Sequence, residues 1–235
     1  MGTGRSGLPK GIKNTTAQVL SQENEHGALG LRVKPLYQRY SKIEDALGIV
    51  NPYYNHPGTG TSYTTNCALC TTAAALQFMG YDVEAMPRDT TWRGFSDVFD
   101  FQWTPENFKA PKNEMLNYAG VPWGKSYYNT NRFTGGRVNT VAAEIESQMK
   151  SWGTNSFAAM SVCWRSGGSH SIFVYQSNSG TRIMDFQTHR SWPVSNWFAT
   201  HRTAVLNSIG LYRLDNQKIK SEIKDLDKIV RRRKK

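Results

Sequence analysis

Apolar residues recur with different spacings along the chain, and each spacing predicts a different kind of element. Residues 67–79 are Ala-rich and apolar on nearly every side, which is typical of a buried helix, and Gly80 follows where a helix commonly ends. In residues 138–152 apolar side chains recur every three or four positions, which predicts an amphipathic helix. Weaker patterns predict shorter helices at residues 16–24, 35–49 and 113–118.

The second half of the chain is dominated by strand-like runs. The run Asn178-Ser179-Gly180 is typical of a tight turn, so the strands on either side of it are predicted to form a hairpin. Helices do not alternate regularly with strands, which favours an α+β fold with an antiparallel sheet over a parallel βαβ arrangement. The predicted strands are residues 81–86, 157–164, 170–176, 182–186 and 209–214.

Polarity divides the chain into three parts. Residues 1–47 are polar and Gly-rich and are interpreted as a leader or linker with helical segments, and residues 48–215 hold the main domain. Residues 216–235 form a basic amphipathic tail, in which an apolar stripe over residues 218–230 predicts a helix.

Charge indicates which partners the chain can attract. The formal net charge is +11, and from Lys218 onward nine Lys or Arg face three acids, a net of +6. This balance favours anionic partners through the tail, such as nucleic acid, an acidic protein or an anionic lipid surface. A solvated tail that serves solubility is the alternative interpretation.

The three cysteines are too few for a disulfide framework and favour a reducing compartment. The first eleven residues contain no apolar run, so we expect no secretory signal peptide. We also expect no transmembrane segment, because no stretch is long and apolar enough.

Candidate chemistry centres on Cys67, His170 and Asp185. Cys67 opens the predicted buried helix, where unpaired backbone N–H groups and the helix dipole favour a thiolate and can hold an oxyanion. His170 opens a predicted strand after a flexible Gly-Gly segment, which suits a general base. Asp185 lies across the predicted hairpin, where it can orient the histidine, and Gln187 falls on the same strand face.

Each of these residues also has a structural interpretation. A cysteine in an Ala-rich helix is often only a small core residue, and a histidine at a strand edge is often a surface residue. Cys67 and Cys70 resemble a redox pair or half a zinc site, but a second pair of zinc ligands and a βαβ context are missing from the pattern. We therefore expect no metal and no cofactor, and the order of all three residues favours a catalytic site.

Several short runs resemble the papain-fold toxin domains described as glutamine deamidases, which occur in polymorphic toxins and phage head-morphogenesis proteins. The resemblance covers roughly residues 48–215. It rests on Asn-Pro at 51–52, Asn-Cys-Ala-Leu-Cys at 66–70, Gly-Tyr-Asp-Val-Glu-Ala-Met-Pro at 80–87, Ser-His at 169–170 and Asp-Phe-Gln at 185–187.

The resemblance implies a papain-like catalytic domain whose triad is Cys67, His170 and Asp185. It also implies that Gln187 supports the site, and we expect the Asn66 amide to help hold the oxyanion. The expected activity is deamidation of a protein glutamine, with protease and transglutaminase activities as alternatives. The expected setting is an effector delivered into a target cell, or a virion component, with an immunity or virion partner.

A second hypothesis is that the chain is a phage head-associated structural protein. Such a protein keeps the fold without depending on its activity, and the basic tail suits packing beside DNA.

Overall fold

The computed structural model describes residues 29–30, 32–89, 94–100, 108–109, 135–204 and 206–233. The α-helices in this part of the chain are α1 (Leu36–Arg39), α2 (Leu47–Val50), α3 (Cys67–Phe78), α4 (Phe95–Val98), α5 (Gly135–Trp152) and α6 (Val194–Thr200). Short 3-10 turns are Ile43–Ala46, Leu206–Ser208 and Leu226–Lys228. The strands are β1 (Val83–Ala85), β2 (Phe99–Asp100), β3 (Phe108–Lys109), β4 (Phe157–Cys163), β5 (Ser169–Ser177), β6 (Gly180–Asp185), β7 (Arg190–Pro193), β8 (Gly210–Arg213), β9 (Lys218–Ile219) and β10 (Val230–Arg232).

Six of these strands form one antiparallel sheet in the order β3-β8-β4-β5-β6-β7. β5 and β6 form the predicted hairpin, which closes at the pair Ser177 and Gly180. Two further pairs, β1 with β10 and β2 with β9, form separate two-stranded antiparallel sheets. The fold is therefore α+β, as the sequence predicted.

Both faces of the six-stranded sheet are covered. Along β4, Phe157 and Ala159 face one core cluster, whereas Ala158, Met160 and Val162 face another. The first cluster contains most of α3, and the second contains residues of α5 and α6. Burial on both faces explains why β4 is a continuous apolar run and not an alternating one.

Helix α3 is buried between the sheet and the N-terminal segments, which suits its apolar character on every side. Ten of its twelve residues are buried. The helix ends at Phe78, and Gly80 follows its cap residue Met79 with a φ of +96°, the left-handed conformation that glycine adopts readily. A Cβ atom at Gly80 would lie 2.6 Å from the Val33 carbonyl oxygen, so the neighbouring backbone also requires glycine.

The predicted helix over residues 35–49 is interrupted. α1 ends at Tyr40, which is extended, and the chain turns again through Ile43–Ala46 before α2. The interruption allows Leu36 and Ala46 to be fully buried in the same core. The helices predicted near residues 16–24 and 113–118 lie outside the described residues.

The predicted C-terminal helix over residues 218–230 is wrong. Asp225 has a left-handed φ of 54°, and the segment forms β9, a 3-10 turn and β10 instead. Pairing of β10 with β1 buries Ile229 and Val230 in the main core, so long-range pairing overrides the local helical spacing.

The predicted domain limits at residues 48 and 215 are also not limits of the core. Leu36 and Ala46 on one side, and Ile229 and Val230 on the other, belong to the same cluster as α3. Residues 216–233 are thus part of the packed structure. Within the described ranges, no helix combines the length and the apolar character needed to cross a bilayer.

Candidate active site

Cys67 is the first residue of α3, and its side chain is partly exposed. The helix begins with the hydrogen bond from the Cys70 N–H to the Asn66 carbonyl, at 3.0 Å. Asn66 occupies the N-cap position but makes no side-chain cap. The Asn66 side chain therefore satisfies none of the first-turn N–H groups, and their partial positive charge lies beside the thiol.

The thiol of Cys67 lies against strand β5. The His170 side chain and the backbone N–H of Ser171 both lie near the thiol and lower its pKa. A further link joins the same two elements, since the Ser171 hydroxyl donates to the Thr71 hydroxyl at 3.1 Å. Thr71 in turn donates to the Cys67 carbonyl at 3.0 Å. Helix and strand are thus bound together at the thiol.

Sheet register brings Asp185 to His170. Phe173 pairs with Met184, which places Asp185 beside Ile172 and diagonal to His170 on the same sheet face. His170 Nε2 lies 2.9 Å from Asp185 Oδ2. Because Nε2 is engaged with the carboxylate, Nδ1 is the ring nitrogen left for the Cys67 thiol. The structure therefore brings together all three residues that the sequence singled out.

Asp185 accepts hydrogen bonds on both carboxylate oxygens. Oδ1 accepts from the backbone N–H groups of Gln187, at 3.0 Å, and Thr188, at 3.3 Å. Oδ2 accepts from the Thr188 hydroxyl at 2.8 Å as well as from His170. Burial raises the pKa of Asp185, but the hydrogen bonds and charge of His170 together with Thr188 lower it below its ordinary value. The carboxylate is therefore held ionised and fixed in orientation.

Electrostatics favour a thiolate–imidazolium pair. Burial raises the pKa of Cys67, but the hydrogen bond and charge of His170 and the Ser171 N–H outweigh burial, so the pKa lies below that of an ordinary thiol. Burial lowers the pKa of His170, and the hydrogen bonds and charges of Asp185 and Cys67 outweigh it, raising the pKa to about 10. Each partner thus stabilises the charged form of the other.

Three buried amide side chains, Asn51, Asn66 and Gln187, form what we call the amide cluster. Asn66 Nδ2 donates to the Met86 carbonyl at 2.9 Å, and its Oδ1 accepts from Gln187 Nε2 at 3.4 Å. Asn51 Nδ2 donates to the carbonyls of Tyr63 at 3.0 Å and Gln187 at 3.2 Å. The cluster ties the loop before Cys67 to the turn after Asp185.

This arrangement bears on the two supporting residues predicted from the sequence. Gln187 lies within the site and joins its two halves. The Asn66 side chain is 1% exposed and its amide is used in the cluster, so an oxyanion role for that side chain would require these bonds to break. The uncapped backbone N–H groups of α3 fit that role without any rearrangement.

Sequence reasoning assigned no role to other residues of the site. Ser171 acts on the thiol through its backbone N–H, which every residue type except proline would supply, so its identity carries no signal for this contact. Thr188 and Asn51 contact the site only because of turn geometry and long-range packing. Trp164 lies beside the imidazole of His170, with ring centroids 6.2 Å apart.

The remaining cysteines differ from Cys67. Cys70 is 1% exposed and donates its thiol to Asn66 Oδ1 at 3.3 Å. Burial, with the nearby charges of Cys67 and Asp185, raises the pKa of Cys70 well above its ordinary value. Cys163 is buried at the end of β4. Across the described part of the chain, no group of three or more His, Cys, Asp or Glu side chains could hold a metal ion.

A cavity of about 610 Å³ opens elsewhere, beside Tyr37, Phe78 and Met79. It lies at the C-terminal end of α3, about 16 Å along the helix axis from Cys67 at the usual rise per residue. This cavity is therefore separate from the candidate site.

Comparison with protein-family models, with curated proteins and with solved structures finds no match to this chain.

Proposed function

We propose that this protein is a papain-like cysteine hydrolase that deamidates a glutamine side chain of a target protein. The observation that carries the proposal is the grouping of Cys67, His170 and Asp185. His170 and Cys67 are close enough to stabilise each other's charged form, and His170 Nε2 lies 2.9 Å from Asp185 Oδ2. The thiol stands at a helix start, the imidazole on a strand, and the carboxylate on the neighbouring strand. Nucleophile, base and orienting group are therefore all supplied by regular elements, which fixes their geometry.

The reaction follows from the charges of these groups. The Cys67 thiolate attacks the carbon of the substrate amide, and the backbone N–H groups at the start of α3 hold the developing oxyanion. His170 donates its proton to the leaving nitrogen, so ammonia departs and a thioester remains. His170 then takes a proton from water, which attacks the thioester and releases the carboxylate. Asp185 keeps the imidazole oriented and stabilises its charged form.

The choice of a glutamine side chain rests on the resemblance to papain-fold toxin domains. Peptide hydrolysis and transfer to an amine use the same thioester, so the shape of the substrate cleft decides among them. In this proposal the protein works as a delivered effector in a target cell or as a virion component. Its substrate is a protein, and an immunity or virion protein is the expected partner.

The test uses the full chain, incubated with a soluble bacterial protein extract and then removed. Deamidated glutamines are located by mass spectrometry, and released ammonia is measured in parallel. The proposal predicts site-specific deamidation that is lost in Cys67→Ala and in His170→Ala. New peptide termini without deamidation would indicate a protease, and incorporation of a fluorescent amine would indicate a transglutaminase. Equal products from wild type and Cys67→Ala would refute cysteine catalysis.

The positive net charge favours a second candidate function, a structural role beside nucleic acid in a virion. Arg231 and Arg233 are engaged by Glu84 and Asp82, so their charges are partly used within the fold. The exposed Lys218 and Lys224 are better placed for an anionic surface. This candidate predicts salt-dependent DNA binding that survives Cys67→Ala but weakens when both lysines are replaced by glutamate.

A further inference from the structure

Cys67 and Cys70 occupy the same face of the first two turns of α3. Residues three apart in an α-helix have Cα atoms about 5 Å apart, from the rise and radius of the helix. This separation falls within the roughly 4.4–6.8 Å that a disulfide spans. The first turn is formed here, since the Cys70 N–H bonds to the Asn66 carbonyl at 3.0 Å.

The Cys70 thiol is also directed toward the start of the helix. The Cys70 thiol donates to Asn66 Oδ1 at 3.3 Å, so its sulfur is directed back toward the start of the helix, where Cys67 lies. The charge of the Cys67 thiolate is felt at Cys70. Cys67 is partly exposed to solvent, whereas Cys70 is buried. One cysteine is therefore accessible to a dissolved oxidant, and the second is shielded from it but adjacent to the first.

We propose that Cys67 and Cys70 are an oxidative modification site, at which peroxide converts the nucleophile reversibly into a disulfide with Cys70. The inference rests on the proposed function, because it requires Cys67 to be an accessible thiolate. It assigns to Cys70 a role in protecting the nucleophile from irreversible oxidation. The proposal differs from the redox-pair interpretation considered above, in which the two cysteines would catalyse disulfide exchange in other proteins.

The chemistry balances in two steps. The Cys67 thiolate attacks one oxygen of hydrogen peroxide, and the O–O bond breaks. The second oxygen leaves as water with a proton from His170, which gives Cys67 sulfenic acid and a neutral imidazole. The Cys70 sulfur then attacks the Cys67 sulfur, and the S–O bond breaks. The hydroxyl leaves as water with the proton of the Cys70 thiol, and the imidazole stays neutral. Two cysteine sulfurs are oxidised to a disulfide, and one peroxide is reduced to two molecules of water.

Oxidation also removes one obstacle to the second step. In the reduced protein the Cys67 thiolate is one of the charges that keep Cys70 protonated. Sulfenic acid is neutral at Cys67, so that repulsion disappears and Cys70 loses its proton more readily. Without Cys70, the exposed sulfenic acid would meet further peroxide and proceed to sulfinic acid, which thiols do not reduce.

The experiment treats the full chain with limiting hydrogen peroxide, denatures it, alkylates the remaining thiols and measures the intact mass. Wild type is expected to retain one alkylated cysteine of its three, Cys163, and to recover all three after thiol reduction. Peptide mapping should place the crosslink between Cys67 and Cys70. Cys70→Ala should instead add two oxygens at Cys67 that a thiol does not remove, while Cys163→Ala, the matched control, should still form the disulfide.

The reduced protein is labelled with iodoacetamide in parallel, which separates the two proposals. Rapid labelling of Cys67 in wild type, combined with sulfinic acid and no crosslink after peroxide, would overturn the disulfide alone. Slow labelling of Cys67 in the reduced wild type would overturn the proposed function and this inference with it. Because the crosslink is measured directly in wild type, the test does not depend on the folding of Cys70→Ala.

Discussion

Replacing His170 with alanine removes both interactions that favour the Cys67 thiolate most strongly, its hydrogen bond and its positive charge. Burial remains, and burial alone raises a thiol pKa. We therefore expect the pKa of Cys67 to move from below its ordinary value in wild type to above it in His170→Ala. The pH dependence of iodoacetamide alkylation, followed by intact mass, measures this change directly.

The size of the change in alkylation rate follows from two opposing effects of a higher pKa. Below the pKa, each unit of increase lowers the thiolate fraction about tenfold, whereas the nucleophilicity of the thiolate rises about threefold. The net loss of alkylation rate is thus about three- to fourfold per unit. Cysteines beside a cation have pKa values of about 3.5–7.5 against about 8.5 when free, and burial adds to the difference in the variant. Near pH 6 we expect His170→Ala to react about 3- to 20-fold more slowly, for a pKa increase of about 1 to 2.5 units above that pH.

The sign of the difference should change with pH. Above the pKa of both proteins the thiol is fully ionised in each, and the variant thiolate is the more basic and more reactive one. The two rate profiles should therefore converge and cross in alkaline solution. A rate ratio that stays constant across pH would show that His170 only shapes access to Cys67 and would refute the ion pair. His56→Ala, which changes an exposed histidine of the 51–65 loop, is the control and should follow wild type.

Four further outcomes are expected. Asp185→Asn keeps a hydrogen-bond acceptor but removes the charge, so the pKa of His170 should fall by about 1–3 units, and neutral-pH alkylation should lie between wild type and His170→Ala; a rate equal to wild type would contradict this. Asn66→Ala leaves buried partners of the amide cluster unsatisfied and should lower the free energy of unfolding by about 1–3 kcal/mol in a urea titration. Leu76→Ala opens a cavity at a fully buried position of α3 and should cost about 2–5 kcal/mol in the same titration. Deleting residues 230–235 removes β10 and buried Val230, and should lower the melting temperature measured by circular dichroism, whereas an unchanged value would contradict the packing of this segment.

Local pattern was sufficient for the elements that carry the catalytic candidates. The α3 helix was predicted from its apolar composition and its terminal glycine, and its first residue follows from where that composition begins. The β5–β6 hairpin was predicted from a turn signal only three residues long. Once the hairpin is known, the pairing of its strands is fixed. Because side chains alternate between the two faces of a sheet, Asp185 then lies on the same face as His170. The grouping of these two residues is therefore nearly a local property.

The C-terminal segment shows where local pattern fails. Its apolar positions recur at helical spacing, yet Ile229 and Val230 are buried through β10, which pairs with a strand almost 150 residues earlier in the chain. An unpaired edge of β1 and an apolar surface beside it are available only in the folded protein. Burying that surface is worth more than the small difference in intrinsic propensity between helix and strand.

The sequence by itself thus determined the α+β class, the buried helix and the order of cysteine, histidine and aspartate, because periodicity and turn chemistry are encoded by neighbours in the chain. The tertiary structure decided the rest: the Ser171 N–H at the thiol, the amide cluster behind it, the proximity of Cys70 and the strand made by the tail. These four features depend on backbone groups, which nearly all residue types carry alike, and on contacts between distant segments. Residue identity at a single position leaves such features undetermined, and only packing specifies them.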